Sequence, residues 1–509
     1  MQFTKSSAIV SIGNGINKVS GFIRDILIAS FLGASNLADL LLISMRLPYA
    51  MKPVISDEYF NAAYIPISAS IKEEHKKYSF AKQVLMLNLI ILTPFTLVVE
   101  FWMPEILEVI ARGKVETESF ELLILSSRLI FPVLIVMGVN ATFIAMLHEK
   151  NKFFLATLLP MINSLAIIFA IIFYNSDLSI NRLLFIDIFI CLSFLIQLYI
   201  LLWSTPNNFW AQGSESRIFS NKIIIFLQKF WPLCLVAIML FLQHMFWVYI
   251  ASFTEGALSY FYYAERLFFL PIVLIARPIA TVMIPNLSRA LIDDMLGASQ
   301  LQRQALKYMF IALVPLAMIT FFASDSLVVS LFERGEFNST SSRSTALMLK
   351  ILAVGMPGVC ISMLLRPYFY AAQRTTVLLK ITTFTCLMDV AIVLILYKYY
   401  GFLSIAITIS LTSYITGLIL FLAQMQGKFI KINMKLIQYF LQYICFCVIL
   451  FLILYFISKS LIIFSAGHLI SLMVLGFIYI LSCIIMVIIF DRHLLQVTIK
   501  RIGSMIKGI

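Results

Sequence analysis

Apolar runs of 20 or more residues follow one another from end to end of this 509-residue chain. A helix needs about 20 residues to cross the hydrocarbon of a bilayer. No water reaches the backbone there, so crossing segments must be helices that pair their own amides. The composition agrees, with 61% hydrophobic and only 12% charged residues, about half the charge of a typical soluble domain. The expectation is an all-α polytopic membrane protein with about 14 transmembrane helices. They fall near 6–33, 37–70, 82–104, 119–147, 153–174, 182–204, 222–252, 257–287, 307–325, 344–372, 376–397, 402–426, 436–458 and 468–490.

Lys and Arg in the connections orient these spans. One side takes the N-terminus, the loops IKEEHKKYSFAKQ, HEKNK, QGSESRIFSNK, SRALIDDMLGASQLQRQALK, QRTTVLLK and GKFIKINMK, and the C-terminal tail. It holds about 21 Lys plus Arg against about 7 on the other side. The rich side is expected to be cytoplasmic, with both termini on it. The +13 net charge reflects this bias and needs no nucleic-acid partner. The basic tail DRHLLQVTIKRIGSMIKGI reads either as a helix on the anionic leaflet or as a frayed polar end. The seven cysteines all lie in apolar runs, which fits burial better than a disulfide framework. The five histidines are scattered, with no metal-ligand spacing.

An internal repeat is present. IASFLG at 28–33 recurs as IASFTEG at 250–256, Arg46-Leu47 as Arg266-Leu267, and Ile65-Pro66 as Ile284-Pro285. FPVLIVMG from Phe131 has a weaker echo in MPGVCISM from Met356. The order is kept, and the offset stays near 220 residues. The expected organisation is therefore two six-helix halves, 1–204 and 205–426, of parallel topology. Residues 427–509 add two nearly uncharged spans and the basic tail. Transporters built from such repeats bind substrate near the midplane between them.

Charges inside spans are costly and mark functional paths. On a helical wheel at 100° per residue, Gly13, Asn14, Asn17, Lys18, Ser20, Gly21, Arg24 and Asp25 fill an arc of about 160°. Apolar residues from Ala8 to Leu27 fill the rest, so the first span reads as having one wide wet face. The second span carries Arg46, Lys52, Asp57 and Glu58, with Pro48 and Pro53 breaking it. The eighth has Glu265, Arg266 and Arg277, with breaks expected at Pro271 and Pro278. Eleven residues put the two arginines on one face of a regular helix. These charges could be packing ion pairs such as Lys18 with Asp25. The cations are in surplus, however, and a basic cavity suits a phosphate or diphosphate.

At these residues the chain resembles the lipid II flippase family, MurJ (also called MviN), of the multidrug/oligosaccharidyl-lipid/polysaccharide exporter superfamily. The resemblance rests on Lys18-Val-Ser-Gly21-Phe22-Ile-Arg24-Asp25, on Leu32-Gly33-Ala34 followed by Asp39, and on Arg46-Leu47-Pro48. It extends through Tyr64-Ile65-Pro66-Ile67, YYAERL at 262–267 and LFERGEF at 331–337. It implies a monomer that moves lipid II, an undecaprenyl-diphosphate-linked peptidoglycan precursor, from the cytoplasmic to the periplasmic leaflet by alternating access, within membrane lipids. By resemblance, Lys18, Arg24, Lys52 and Arg266 meet the diphosphate, with Asp39 as a further functional carboxylate; Asn17, Asp25, Arg46, Glu265 and Arg277 are supporting candidates from their place among the span charges. The last two spans resemble the family's groove for the polyprenyl tail.

The chain departs from the family in several places. Lys18 and Lys52 stand where Arg is usual, which keeps the charge but loses the fork. Asp57-Glu58-Tyr59-Phe60 replaces a glycine-containing motif, and Arg277 has no usual counterpart. Some relatives bind sodium; here Asp389 is a candidate ligand, but the seventh span offers no carboxylate. No cofactor is expected. Monovalent-cation and membrane-potential coupling both stay open.

Two alternatives remain at this stage. One is a flippase for another polyprenyl-diphosphate-linked glycan of the O-antigen type. The other is an embedded polyprenyl-phosphate enzyme, whose best carboxylate pair, Asp293-Asp294, reads as an ordinary loop. The loop charges generate a direct test. Accessibility tags near residues 75, 212 and 298 should report from the cytoplasm, and tags near 110 and 338 from the periplasm. A tag on the wrong side breaks the 14-span arrangement.

Overall fold

The computed structural model describes the backbone of residues 2–55, 58–149, 153–175, 181–211, 220–293, 295–372, 374–427, 429, 434–463 and 467–490. The basic tail, Asp57 and Asp294 lie outside the described residues. All regular structure within them is helical. Twelve described segments are long and apolar enough to cross a membrane. The first two expected spans are not among these twelve. α1 (Gln2–Leu32) packs Lys18, Arg24 and Asp25 into its second half. The second span is divided into α2 (Asn36–Tyr49), α3 (Lys52–Ile55) and α4 (Glu58–Ala69). Pro48 and Pro53 flank the first break, as their missing amides require.

The remaining helices follow the hydropathy closely. They are α5 (Glu74–Phe101), α6 (Met103–Ile110), α7 (Phe120–Ile130), α8 (Val133–Glu149), α9 (Phe153–Phe173), α10 (Arg182–Ser204), α11 (Asn207–Ala211) and α12 (Asn221–Ser252). Then come α13 (Ala257–Pro271), α14 (Arg277–Asp293), α15 (Met295–Phe332), α16 (Ser339–Ala371), α17 (Thr375–Tyr400), α18 (Leu403–Gln426), α19 (Met434–Ile463) and α20 (His468–Phe490).

The eighth span does not break as expected. Between α13 and α14 the chain runs through a π turn, Ile272–Ala276. There the Arg277 amide donates to the Ile272 carbonyl, five residues back. Pro271 and Pro278 bracket this turn and supply no amide, so a wider loop of hydrogen bonds carries the helix past them. The turn also adds an offset that a regular-helix count of Arg266 to Arg277 lacks.

By packing, the chain falls into two units. One unit comprises Met1–Ser259 with Arg334–Phe337, the other Tyr260–Glu333 with Asn338–Ile509. In the first unit α1 lies along α9, α5 along α8, and α10 against α9, α8, α7 and α2. Its core holds an aromatic stack in which Tyr64 lies 5.8 Å from Phe60 and 5.3 Å from Phe80, ring centre to ring centre. The matched segments IASFLG and IASFTEG end alike, because Gly33 and Gly256 both take left-handed φ, 68° and 75°. That region is open to glycine at little steric cost.

In the second unit α16 packs on α15 and α18. Glycines let α16 and α18 approach closely, as small residues do in membranes. A Cβ on Gly355 would lie 2.6 Å from the Ser410 Cα, and one on Gly358 would lie 2.8 Å from the Tyr414 amide nitrogen. Ser410 and Ser413 donate across this seam to the carbonyls of Ile351 and Gly355. α19 and α20 dock on α15 through the Tyr443 and Tyr479 hydroxyls, which donate to the Phe310 and Ala312 carbonyls. Large apolar side chains on them stay exposed, as Met473 at 73% and Phe477 at 67%. Gly355→Ala should destabilise the protein by about 1–3 kcal/mol through overpacking. Gly476→Ala, with nothing within 4 Å, should not. Thermal unfolding in detergent checks the pair; equal midpoints would contradict the seam.

Candidate functional site

α1 carries the first candidates, and its polar arc is not uniformly wet. Gly13 lies so close to α9 that a Cβ would stand 3.0 Å from the Thr157 hydroxyl. Asn17 donates to the Thr157 carbonyl at 3.1 Å, and Ser20 is buried. The small edge of the arc is therefore a helix–helix contact, because small residues permit close approach. This corrects the reading of the whole arc as a wet face. Lys18 is exposed. Ile16, Val19 and Ile23 on the apolar side are 44%, 60% and 46% exposed, as a lipid-facing side requires.

Asp25 pairs with its neighbour Arg24, whose Nε and Nη2 donate to Oδ1 at 2.9 and 2.7 Å. The side chains are only 13% and 3% exposed. Burial makes such a charge-assisted pair firm and fixes where the guanidinium sits. Arg24, next in the chain, is thus a partner of Asp25.

Asp39 stands in the first turn of α2, which Ser35 caps by accepting from the Ala38 amide. It is fully buried. Its Oδ1 accepts from the Ser259 amide and hydroxyl at 2.9 and 2.7 Å. Its Oδ2 accepts from the Gly256 amide at 2.8 Å and from Lys114 Nζ at 3.3 Å. Lys114 also donates to Asn36 Oδ1 at 2.7 Å. It comes from a short 3-10 turn, Arg112–Lys114, whose Gly113 amide donates to the Ser252 hydroxyl. A Cβ on Gly113 would lie 2.5 Å from Ser252 and Phe253 backbone atoms. Every acceptor position of Asp39 is engaged by the protein, so in this state it ties α2 to the turn after α12. Lys114 was one loop cation among several in the sequence. The glycine between Arg112 and Lys114 was the available sign of a close approach.

Lys52 opens α3 and Arg46 lies in the last turn of α2, both half-buried. The Glu58 side chain lies outside what is described. Arg266 is exposed, lies over the Tyr262 ring at 4.6 Å and donates to its hydroxyl at 3.0 Å. Glu265 beside it is half-buried, and Arg277 is exposed at the start of α14. Asp389 on α17 is buried and accepts from the Thr412 hydroxyl at 2.9 Å. No group of three potential metal ligands occurs among the described residues. Lys18, Arg24, Asp39 and Lys52 thus belong to the first packing unit, and Arg266 and Asp389 to the second.

Among the described residues all regular structure is helical, in several long apolar segments with cations among them, an arrangement that membrane transporters share. The fold matches the solved structure described as "Lipid II flippase MurJ, inward closed conformation", with a TM-score of 0.82 at 21% identity over 96% of this chain and 100% of that one. It also matches an inward-facing multidrug resistance MATE family transporter, with a TM-score of 0.66 at 16% identity over 81% and 94% of the two chains. A "Probable lipid II flippase MurJ" of Buchnera aphidicola is 26% identical over 482 residues, 90% of this chain and 91% of the relative. The family model "Lipid II flippase MurJ" matches residues 28–476, and the chain belongs to that family. A flippase relocates a lipid and makes no covalent bond, so the protein is not an enzyme and the polyprenyl-phosphate enzyme reading falls.

The Asp39 cluster generates a prediction. Lys114→Ala strips the buried carboxylate of its cation and should cost about 3–5 kcal/mol. Adding Asp39→Asn should return part of that loss, with a coupling of about 0.5–3 kcal/mol. Unfolding of the single and double variants in detergent measures the cycle; strictly additive losses would refute the pairing.

Proposed function

We propose that this protein carries lipid II from the cytoplasmic to the periplasmic leaflet of the inner membrane by alternating access. The supporting observation is the family match across residues 28–476, joined to cations held within its apolar segments. Arg24, fixed by Asp25, presents a preformed guanidinium fork that suits a diphosphate. Lys18 and Lys52 in the first unit and Arg266 in the second supply further positive charge, supported by Asn17 and Arg46 in the first and by Glu265 and Arg277 in the second. Asp39 acts through the layer that it ties together, and substrate meets it only when that layer opens.

The repeat halves 1–204 and 205–426 are the bodies that alternate, and both termini face the cytoplasm. α19 and α20, with their exposed apolar flanks, accompany the polyprenyl tail. A single chain suffices. The drive is a monovalent-cation gradient or the membrane potential, the latter worth about 2.3 kcal/mol per charge per 100 mV.

The test is complementation of a strain depleted of its own flippase, with periplasmic lipid II measured directly. Lys18→Arg should sustain it. Arg24→Ala and Arg266→Ala should abolish it while protein still accumulates, since a lost charged hydrogen bond costs about 1.5–3 kcal/mol, ten- to hundredfold in grip. Arg24→Ala with Asp25→Ala should stay inactive. Restored transport in that double variant would mean that Arg24 serves packing alone.

A further inference from the structure

Asp187 lies in the first half of α10, inside an apolar span of the first unit. Its side chain is fully buried, and neither carboxyl oxygen accepts a hydrogen bond. α10 packs against α9, α8, α7 and α2, and those helices show why Asp187 has no donor. The Ser126 hydroxyl of α7 lies beside the carboxyl, but its proton goes to Ser44 Oγ of α2 at 2.9 Å. Ser127 donates to the same oxygen at 3.1 Å, and Ser44 donates onward to the Leu40 carbonyl. One turn along α10, the Cys191 thiol donates to the Leu129 carbonyl. Each of these donors is thus spent elsewhere.

The charged groups on the same elements do not compensate. α7 carries Glu121 and Arg128, α2 carries Asp39 and Arg46, and α8 carries only His148 and Glu149 at its far end. α9 has no titratable group, and Arg182 at the start of α10 reaches Glu336. None of these cations pairs with Asp187. Asp39 shows the contrast: an equally buried carboxylate, in the same unit, receives four hydrogen bonds. A buried carboxylate ion without donors is far costlier than the neutral acid, which needs one acceptor and brings its own donor. The Ser126 oxygen, which spends its proton on Ser44, offers that acceptor.

We propose that Asp187 is a proton-binding site. In this packed state its carboxyl is the neutral acid, its O–H directed to Ser126 Oγ. The proton comes from water when the layer of α10, α7 and α2 opens, and returns to water when it opens again. Uptake converts the carboxylate and a hydronium ion to the acid and water, with nothing oxidised or reduced. Protonation is thereby linked to the conformational state of the first unit. The link to transport rests on the flippase reading, whereas the proton site itself does not.

The site is tested on purified full-length protein in lipid nanodiscs at neutral pH, by infrared difference spectra between wild type and Asp187→Asn. One protonated-carboxyl band, sensitive to deuterium oxide and insensitive to sodium, should be missing in the variant. Identical carboxyl bands, or loss of an ionised-carboxylate band, overturns the site. The transport link is tested in vesicles loaded with lipid II under an imposed proton gradient. Asp187→Asn mimics a permanently bound proton and should slow lipid II exposure at least tenfold with an unchanged unfolding midpoint, whereas Asp187→Glu should retain it. An Asp187→Asn protein that runs at the wild-type rate overturns the link while the flippase reading stands. A wild type that exposes no lipid II overturns the flippase reading and the link with it, and leaves the infrared result standing.

Discussion

Hydrocarbon offers no hydrogen bonds, and most of this structure is a response to that one fact. Every described segment that crosses is a helix, since only there does the backbone pair with itself. At Pro48 and Pro53 the chain breaks between α2 and α3, and between Pro271 and Pro278 it widens into the π turn that joins α13 to α14. Interhelical bonds run from side-chain hydroxyls to backbone carbonyls, as at Ser410, Ser413, Tyr443 and Tyr479. Close helix contacts are made over glycines, where backbones can meet.

The same constraint sorts the carboxylates by their donors. Asp25 has a guanidinium, Asp39 has four donors from three parts of the chain, Asp389 accepts from a threonine hydroxyl, and Asp187 accepts from none. A carboxylate saturated by the protein holds elements together. One paired with a single guanidinium can aim that cation at a substrate anion. One with no donor is stable only as an acid. Four residues in similar membrane surroundings are thus suited to different tasks, and the donors within hydrogen-bond reach make the difference.

This sorting bears on how a flippase works. A diphosphate headgroup needs positive charge inside the membrane, yet each such charge must be supported in the empty state. Arg24 leans on Asp25, and Arg266 lies over Tyr262. The Tyr262 ring is the weaker support and can be traded for phosphate oxygens, whereas Asp25 holds Arg24 firmly and leaves its remaining donors to a phosphate.

The chain's hydropathy alone determined the helical class and the approximate positions of the twelve described spans, and it marked the charged first, second and eighth segments. Hydropathy and helical period are local, and a lipid environment enforces them span by span. The wheel marked Gly13, Asn17 and Lys18 as one polar face but could not tell that α9 covers the first two and leaves Lys18 exposed. A pairing partner for Asp25 was sought seven residues away, and the structure offers Arg24 next door. Lys114 reaches Asp39 across 75 residues, and Ser259 does so across 220. No local pattern announces such partners. Asp187 is one acidic residue in an apolar run, and only packing shows that Ser126 beside it spends its proton on Ser44. Tertiary structure decided these roles, because a buried charge is defined by the groups within 3 or 4 Å of it, and chain order does not bring those groups together.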